Sequence, residues 1–147
     1  GEGLEFDAAL KEAQKLGYAE ANPQYDVEGT DAAIKLTILS NWVMGAKLHV
    51  TDAATRGIES ITRADVERAR AQGKVIKLLA RYDGKRARVE PELIPASDSL
   101  NVPGPLNAVT YTTEDLGSVT LIGKGAGGRE TSSALVRDLI DIHLLTK

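Results

Sequence analysis

KVIKLLARYDGKRARVE, residues 74–90, decides the fold. At Lys74 the period changes, and Val75, Ile76, Leu78, Leu79 and Ala80 with their β-branched members read as a strand rather than a helix; Asp83-Gly84 follows as a two-residue hairpin turn. Arg86 to Glu90 is then the returning strand. Its alternation places Lys85, Ala87 and Val89 on a buried face and Arg86, Arg88 and Glu90 on a wet one.

Downstream, Pro91, Pro95, Pro103 and Pro105 predict an irregular stretch. Asn107 to Thr113 and Ser118 to Ile122, joined by a short turn, form a second hairpin, and Ser132 to Leu145 is an amphipathic closing helix. Upstream, Asp7 caps a helix from Ala8 to Leu16, stopped by Gly17. A second helix runs from Asp31 to about Val43, a short strand covers Lys47 to Val50, and Thr62-x-x-Asp65 starts a helix that ends before Gly73. Short turns permit only antiparallel neighbours, since parallel pairing needs long crossovers. The expected class is α+β, a mainly antiparallel or mixed sheet packed against helices, with residues 1–147 as a single domain.

The chain has 147 residues, enough for one ordinary core. A net charge of −3 with both signs dispersed gives no basic stripe, so nucleic acid is not an expected partner. No apolar run reaches the length that spans a bilayer, and no leader pattern opens the sequence. The expectation is a soluble, cytoplasmic protein with no membrane partner. Without cysteine there is no disulfide and no thiolate chemistry. His49 and His143 fall outside any ligand-spaced motif, and no metal site is expected.

Chemistry concentrates in residues 13–35, AQKLGYAEANPQYDVEGTDAAIK. Glu20, Asp26, Glu28 and Asp31 share a loop punctuated by Pro and Gly, and Lys35 follows Asp31 by four residues, one turn along the same helix face. On a helical wheel Ala32, Leu36, Leu39 and Val43 form the expected core stripe. Asp31 and Lys35 share a neighbouring stripe with Ile38 and Trp42, while Thr37, Ser40 and Asn41 take the far side that water should claim. Charges running onto an apolar surface point to a cleft beside Glu20; the plain alternative is a solvated ion pair with Asp31 favoured by the helix dipole.

Ala13, Gly17, Tyr18, Ala19, Glu20, Asn22, Pro23, Asp26, Val27, Gly29, Asp31 and Lys35 together resemble the signature of homoserine dehydrogenases. Asn22 departs from it, standing where Asp is more usual; Asn makes the same turn. The resemblance extends through Asn107-Ala108-Val109 to the glycine loop at residues 123–128. That loop satisfies G-x-G-x-x-G, but residues 129–147 leave no room for the second parallel strand of a dinucleotide fold. Gly125, Gly127 and Thr131 match instead a loop with which that family's catalytic domain reaches the cofactor, with Glu130 where Pro is frequent. The loop should aim the N–H groups of Thr131 and Ser132 at whatever lies before the helix.

The resemblance implies the catalytic and dimerisation domain of an NAD(P)-dependent oxidoreductase that interconverts L-homoserine and L-aspartate 4-semialdehyde, in threonine and methionine biosynthesis. It also implies a homodimer, and a nucleotide-binding domain elsewhere in the parent chain that holds most of the NAD(P). Glu20 and Asp31 would accept the substrate ammonium and hydroxyl, Asp26 would orient them, and Lys35 would move the proton. Two other readings use the same residues: a cation site at Asp26, Glu28 and Asp31, whose order fits a calcium loop poorly, and a non-catalytic dimerisation module.

Overall fold

The computed structural model of the chain describes residues 6–15, 22–104, 106–125 and 127–146. They belong to two compact units, Gly1–Ala96 and Ser97–Lys147. The first contains α1 (Phe6–Lys15), α2 (Gln24–Val27), α3 (Thr30–Met44), β1 (Ala53–Thr55), α4 (Arg63–Ala71), β2 (Lys74–Tyr82) and β3 (Ala87–Pro95). The second contains β4 (Leu106–Thr113), β5 (Gly117–Lys124) and α5 (Gly128–Leu145).

In the first unit the strand order is β1-β3-β2, with β2 antiparallel to β3 and β1 parallel to it. In the second, β4 and β5 form an antiparallel pair. The α+β class with a mixed sheet is therefore as expected, and so are both hairpins. Thr62 caps α4 as its spacing predicts: the Asp65 N–H donates to Thr62 Oγ1 at 3.2 Å, and the Thr62 N–H donates to Asp65 Oδ2 at 3.0 Å.

The core of the first unit is built from small side chains. Ala33 of α3, Ala53 of β1, Ala87 and Val89 of β3 are buried together, and Leu36, Leu48, Leu78 and Tyr82 pack around them. Val89, fully buried, contributes about 1.5–3 kcal/mol by leaving water. Alanines on both sides bring the helix close to the sheet. Arg56, Arg81, Arg88, Glu90 and Glu92 make ion pairs around this sheet, among them a two-pronged contact from Arg81 Nε and Nη2 to the Glu92 carboxylate at 2.6 and 2.7 Å.

Four expectations are corrected. Lys47 to Val50 is not a strand: a single 3-10 turn (Val50–Asp52) leads into β1 at Ala53. The first hairpin closes through residues 83–86 rather than through Asp83-Gly84 alone, because the Asp83 carboxylate accepts from the Lys85 and Arg86 N–H groups at 2.9 and 2.8 Å and makes a wider loop with its own side chain.

Pro91 and Pro95 do not interrupt the chain; both lie in β3. The Val89 carbonyl faces β1, where it accepts from the Arg56 N–H at 2.8 Å. By the two-residue period, the nitrogens of Pro91 and Pro95 face that same side, past the end of the three-residue β1. There no strand needs the missing donor.

The fourth correction concerns how the inward side of α3 is centred. Ala32 and Leu36 of the expected stripe do pack half-buried against the core, but the fully buried residues are Ala33, Thr37 and Ser40, and Val43, also assigned to the stripe, is exposed. Thr37 satisfies its hydroxyl by donating to the Ala33 carbonyl at 2.9 Å. Asn41 pairs with the backbone of Leu48 in both directions, at 3.0 and 2.9 Å. Helix α3 is apolar on more than one side, so hydrophobicity alone did not select the inner face. Close approach to an alanine-rich sheet did, and it favoured the side with the smallest residues.

A candidate active site at the start of α3

Residues 22–31 form a turn that aims α3. Asn22 Oδ1 accepts from the Gln24 N–H at 3.3 Å, the turn-forming role that Asp would have taken. The Pro23 carbonyl accepts from Asp26 and Val27, forming the single turn of α2. Gly29 then reverses the chain at φ +84°, a conformation open to glycine, and its carbonyl takes the first helical bond from Ala33.

This turn rests on the sheet. A Cβ at Gly29 would lie 3.1 Å from both Thr55 Cγ2 and Val89 Cγ1, and the Ile58 N–H donates to the Val27 carbonyl at 2.9 Å. Asp31, in the first turn of α3, and Lys35 come together as the sequence predicts, with Nζ to Oδ2 at 2.7 Å. Their side chains are 41% and 58% exposed respectively, so within this chain the pair borders solvent. Glu20 lies outside the described residues. Asp26 is exposed on α2, and Glu28 accepts from the Gln24 amide at 2.8 Å. Among the described residues, no three acidic or histidine side chains gather closely enough to hold a metal ion.

Beyond the pair, the same side of α3 is apolar and uncovered. Ile38 is 60% exposed and Trp42 89% exposed. The lysine–carboxylate pair and this apolar stretch therefore give one exposed helix surface a polar end and an apolar end.

The glycine loop belongs to the second unit. Gly125 approaches Asn107 so closely that a Cβ would collide with the Asn107 side-chain amide. Gly127 precedes α5, and Glu130 extends back over it to meet Lys124 at 3.4 Å. Hydrogen bonding to its own backbone N–H, aided by Lys124, holds the Glu130 carboxyl below the usual range. Contrary to expectation, the Thr131 N–H is not aimed before the helix: it donates to the Gly127 carbonyl at 2.9 Å. β5 pairs antiparallel with β4, so this loop does not follow a parallel strand as a dinucleotide fold would require.

A family model described as homoserine dehydrogenase matches residues 1–140. The chain belongs to the homoserine dehydrogenase family. It is 42% identical to the homoserine dehydrogenase of Methanocaldococcus jannaschii, covering 99% of this chain and 44% of that protein. It is 45% identical to the NAD(+)-dependent homoserine dehydrogenase of Pseudomonas canavaninivorans, over 96% of this chain and 42% of that one. Among solved structures, the homoserine dehydrogenase of Thiobacillus denitrificans superposes with a TM-score of 0.88 at 46% identity, covering 96% of this chain and 34% of that one. A hyperthermophilic archaeal homoserine dehydrogenase mutant in complex with NADPH superposes with a TM-score of 0.81 at 31% identity, over 97% and 41%. The chain thus spans less than half the length of the curated relatives it matches. Among the described residues, no helix is long and apolar enough to cross a membrane.

Gly57 and Ile58, which hold the turn before α3, carry no mark of that role in the sequence. A lone glycine in a polar loop gives no signal of close backbone approach.

Proposed function

We propose that this chain is the single catalytic, substrate-binding and dimerisation domain of a cytoplasmic homoserine dehydrogenase. Such an enzyme interconverts L-homoserine and L-aspartate 4-semialdehyde with NAD(P)(H), in threonine and methionine biosynthesis. The observation that carries the reading is the Asp31–Lys35 pair at the head of α3, in a chain whose residues 1–140 match the family model.

In this reading Asp31 and Glu20 accept the substrate ammonium and hydroxyl, and Asp26 orients them. Lys35 holds the proton that leaves or joins the substrate oxygen. Its side chain is well exposed here, and proton transfer is favoured by a drier setting, so a closing surface over Ile38 and Trp42 belongs to the proposal.

The cofactor supplies or takes the hydride. In this reading Gly125, Gly127 and Thr131 meet a neutral part of NAD(P), such as an amide or a ribose hydroxyl. A pyrophosphate would suit this helix start poorly, because the Glu130 carboxylate already occupies it. Most of the nucleotide would therefore be bound by a domain outside this chain. A homodimer is supported by β4 and β5, which among the described residues pair only with each other and expose Leu121 and Ile122.

The test is to join a nucleotide-binding domain of the family ahead of residue 1 and assay homoserine-dependent reduction of NAD and NADP. Activity that depends on Lys35 supports the reading. A folded fusion that binds cofactor but never turns over homoserine overturns it.

A further inference from the structure

Resting on that reading, we infer that Gly57 is a positioning residue for the amino-acid end of the site. The loop after β1 lies directly on the turn that carries Asp26, Glu28 and Asp31. A Cβ added to Gly57 would collide with the Val27 carbonyl oxygen and lie 2.7 Å from Glu28 Cα, and both obstacles are backbone. The next residue, Ile58, donates its N–H to that same Val27 carbonyl at 2.9 Å. The preceding residue, Arg56, donates to the Val89 carbonyl of β3 at 2.8 Å.

Three consecutive residues thus connect the fully buried Val89 to the acidic turn, and Gly29 of the same turn packs on Thr55 and Val89. The turn is seated at two points before α3 begins. A methyl group at Gly57 must push the Val27–Glu28 peptide away, and the displacement passes to Asp26 and to the head of α3. Gly57 touches no reacting atom in this account; it acts through the carboxylates.

The experiment uses the fusion with a nucleotide-binding domain. Gly57→Ala should raise KM for homoserine about ten- to a hundredfold, the scale of a roughly 1 Å misplacement, with KM for the cofactor unchanged. Thr55→Ala, an exposed position that removes the methyl group under Gly29, should shift homoserine KM in the same direction by a smaller factor. It serves as the decisive variant if Gly57→Ala does not fold. Ala69→Gly in α4 destabilises the domain away from the turn and should leave homoserine KM alone. Unchanged homoserine KM in the folded Gly57→Ala protein, or in Thr55→Ala where Gly57→Ala fails to fold, overturns the inference; so does an equal shift in Ala69→Gly. Full turnover by Lys35→Ala would instead overturn the site reading, and this inference with it.

Discussion

Lys35 Nζ lies 2.7 Å from Asp31 Oδ2, one turn along α3, with the acid nearer the N-terminus of the helix. That order suits the helix dipole, yet an exposed pair of this kind stabilises a helix by only about 0.3–0.5 kcal/mol. Stability and activity should therefore separate. With the nucleotide-binding domain attached, Lys35→Ala is expected to lower turnover by about two to four orders of magnitude while the thermal midpoint barely moves. Parallel kinetics and thermal denaturation check this, and a variant that keeps its turnover would remove Lys35 from the site.

Asn41 makes a different contribution. Its amide donates to the Leu48 carbonyl and accepts from the Leu48 N–H, taking the place of a strand neighbour for a loop that has none. Asn41→Ala leaves both backbone groups short of a partner in a partly buried position. A loss of about 1–3 kcal/mol in denaturant unfolding is expected, with Asn41→Asp recovering less than half because it cannot donate.

Acid should weaken the first unit through identifiable carboxyls. The Arg81 hydrogen bond holds Glu92 below its ordinary value of 4.5, and hydrogen bonds from the Thr62 side chain and N–H hold Asp65 below 3.8. A carboxyl lowered by folding contributes stability that is complete above its unfolded pKa and is lost as pH falls through the folded one. Thermal midpoints should therefore be level near neutrality and decline below about pH 4.5. Glu92→Gln and Asp65→Asn should each start lower and fall less steeply; a parallel decline in the variants would exclude these groups as the source.

Without a nucleotide-binding domain, the 147-residue chain should be silent in homoserine-dependent NADP reduction and should self-associate. Helix α5 exposes Leu135, Leu139, Ile142 and Leu145, and β5 exposes Leu121. Apolar surface of that extent favours a partner. Light scattering at rising concentration and a cofactor titration check both statements. Turnover like that of an intact dehydrogenase, or cofactor binding in the micromolar range, would show that this chain needs no further domain.

Local chemistry was legible in the residues alone. The Thr62–Asp65 cap, the Asp31–Lys35 pairing, the turn at Asn22 and the two hairpins each depend on groups a few positions apart, where spacing dictates geometry. Three features needed the folded chain. The inner face of α3 fell to Ala33, Thr37 and Ser40 because the sheet beneath it is lined with alanine, and no wheel drawn from one helix contains its neighbour. Pro91 entered β3 because β1 ends two residues earlier on the side that the proline nitrogen faces. Gly57 came to support the acidic turn because its loop passes over Val27 and Glu28, a contact between backbones some thirty residues apart that leaves no periodicity for a sequence to display. Periodicity records what one segment requires of its surroundings, whereas contacts between segments depend on shapes and on strand ends, and only assembly of the chain decides those.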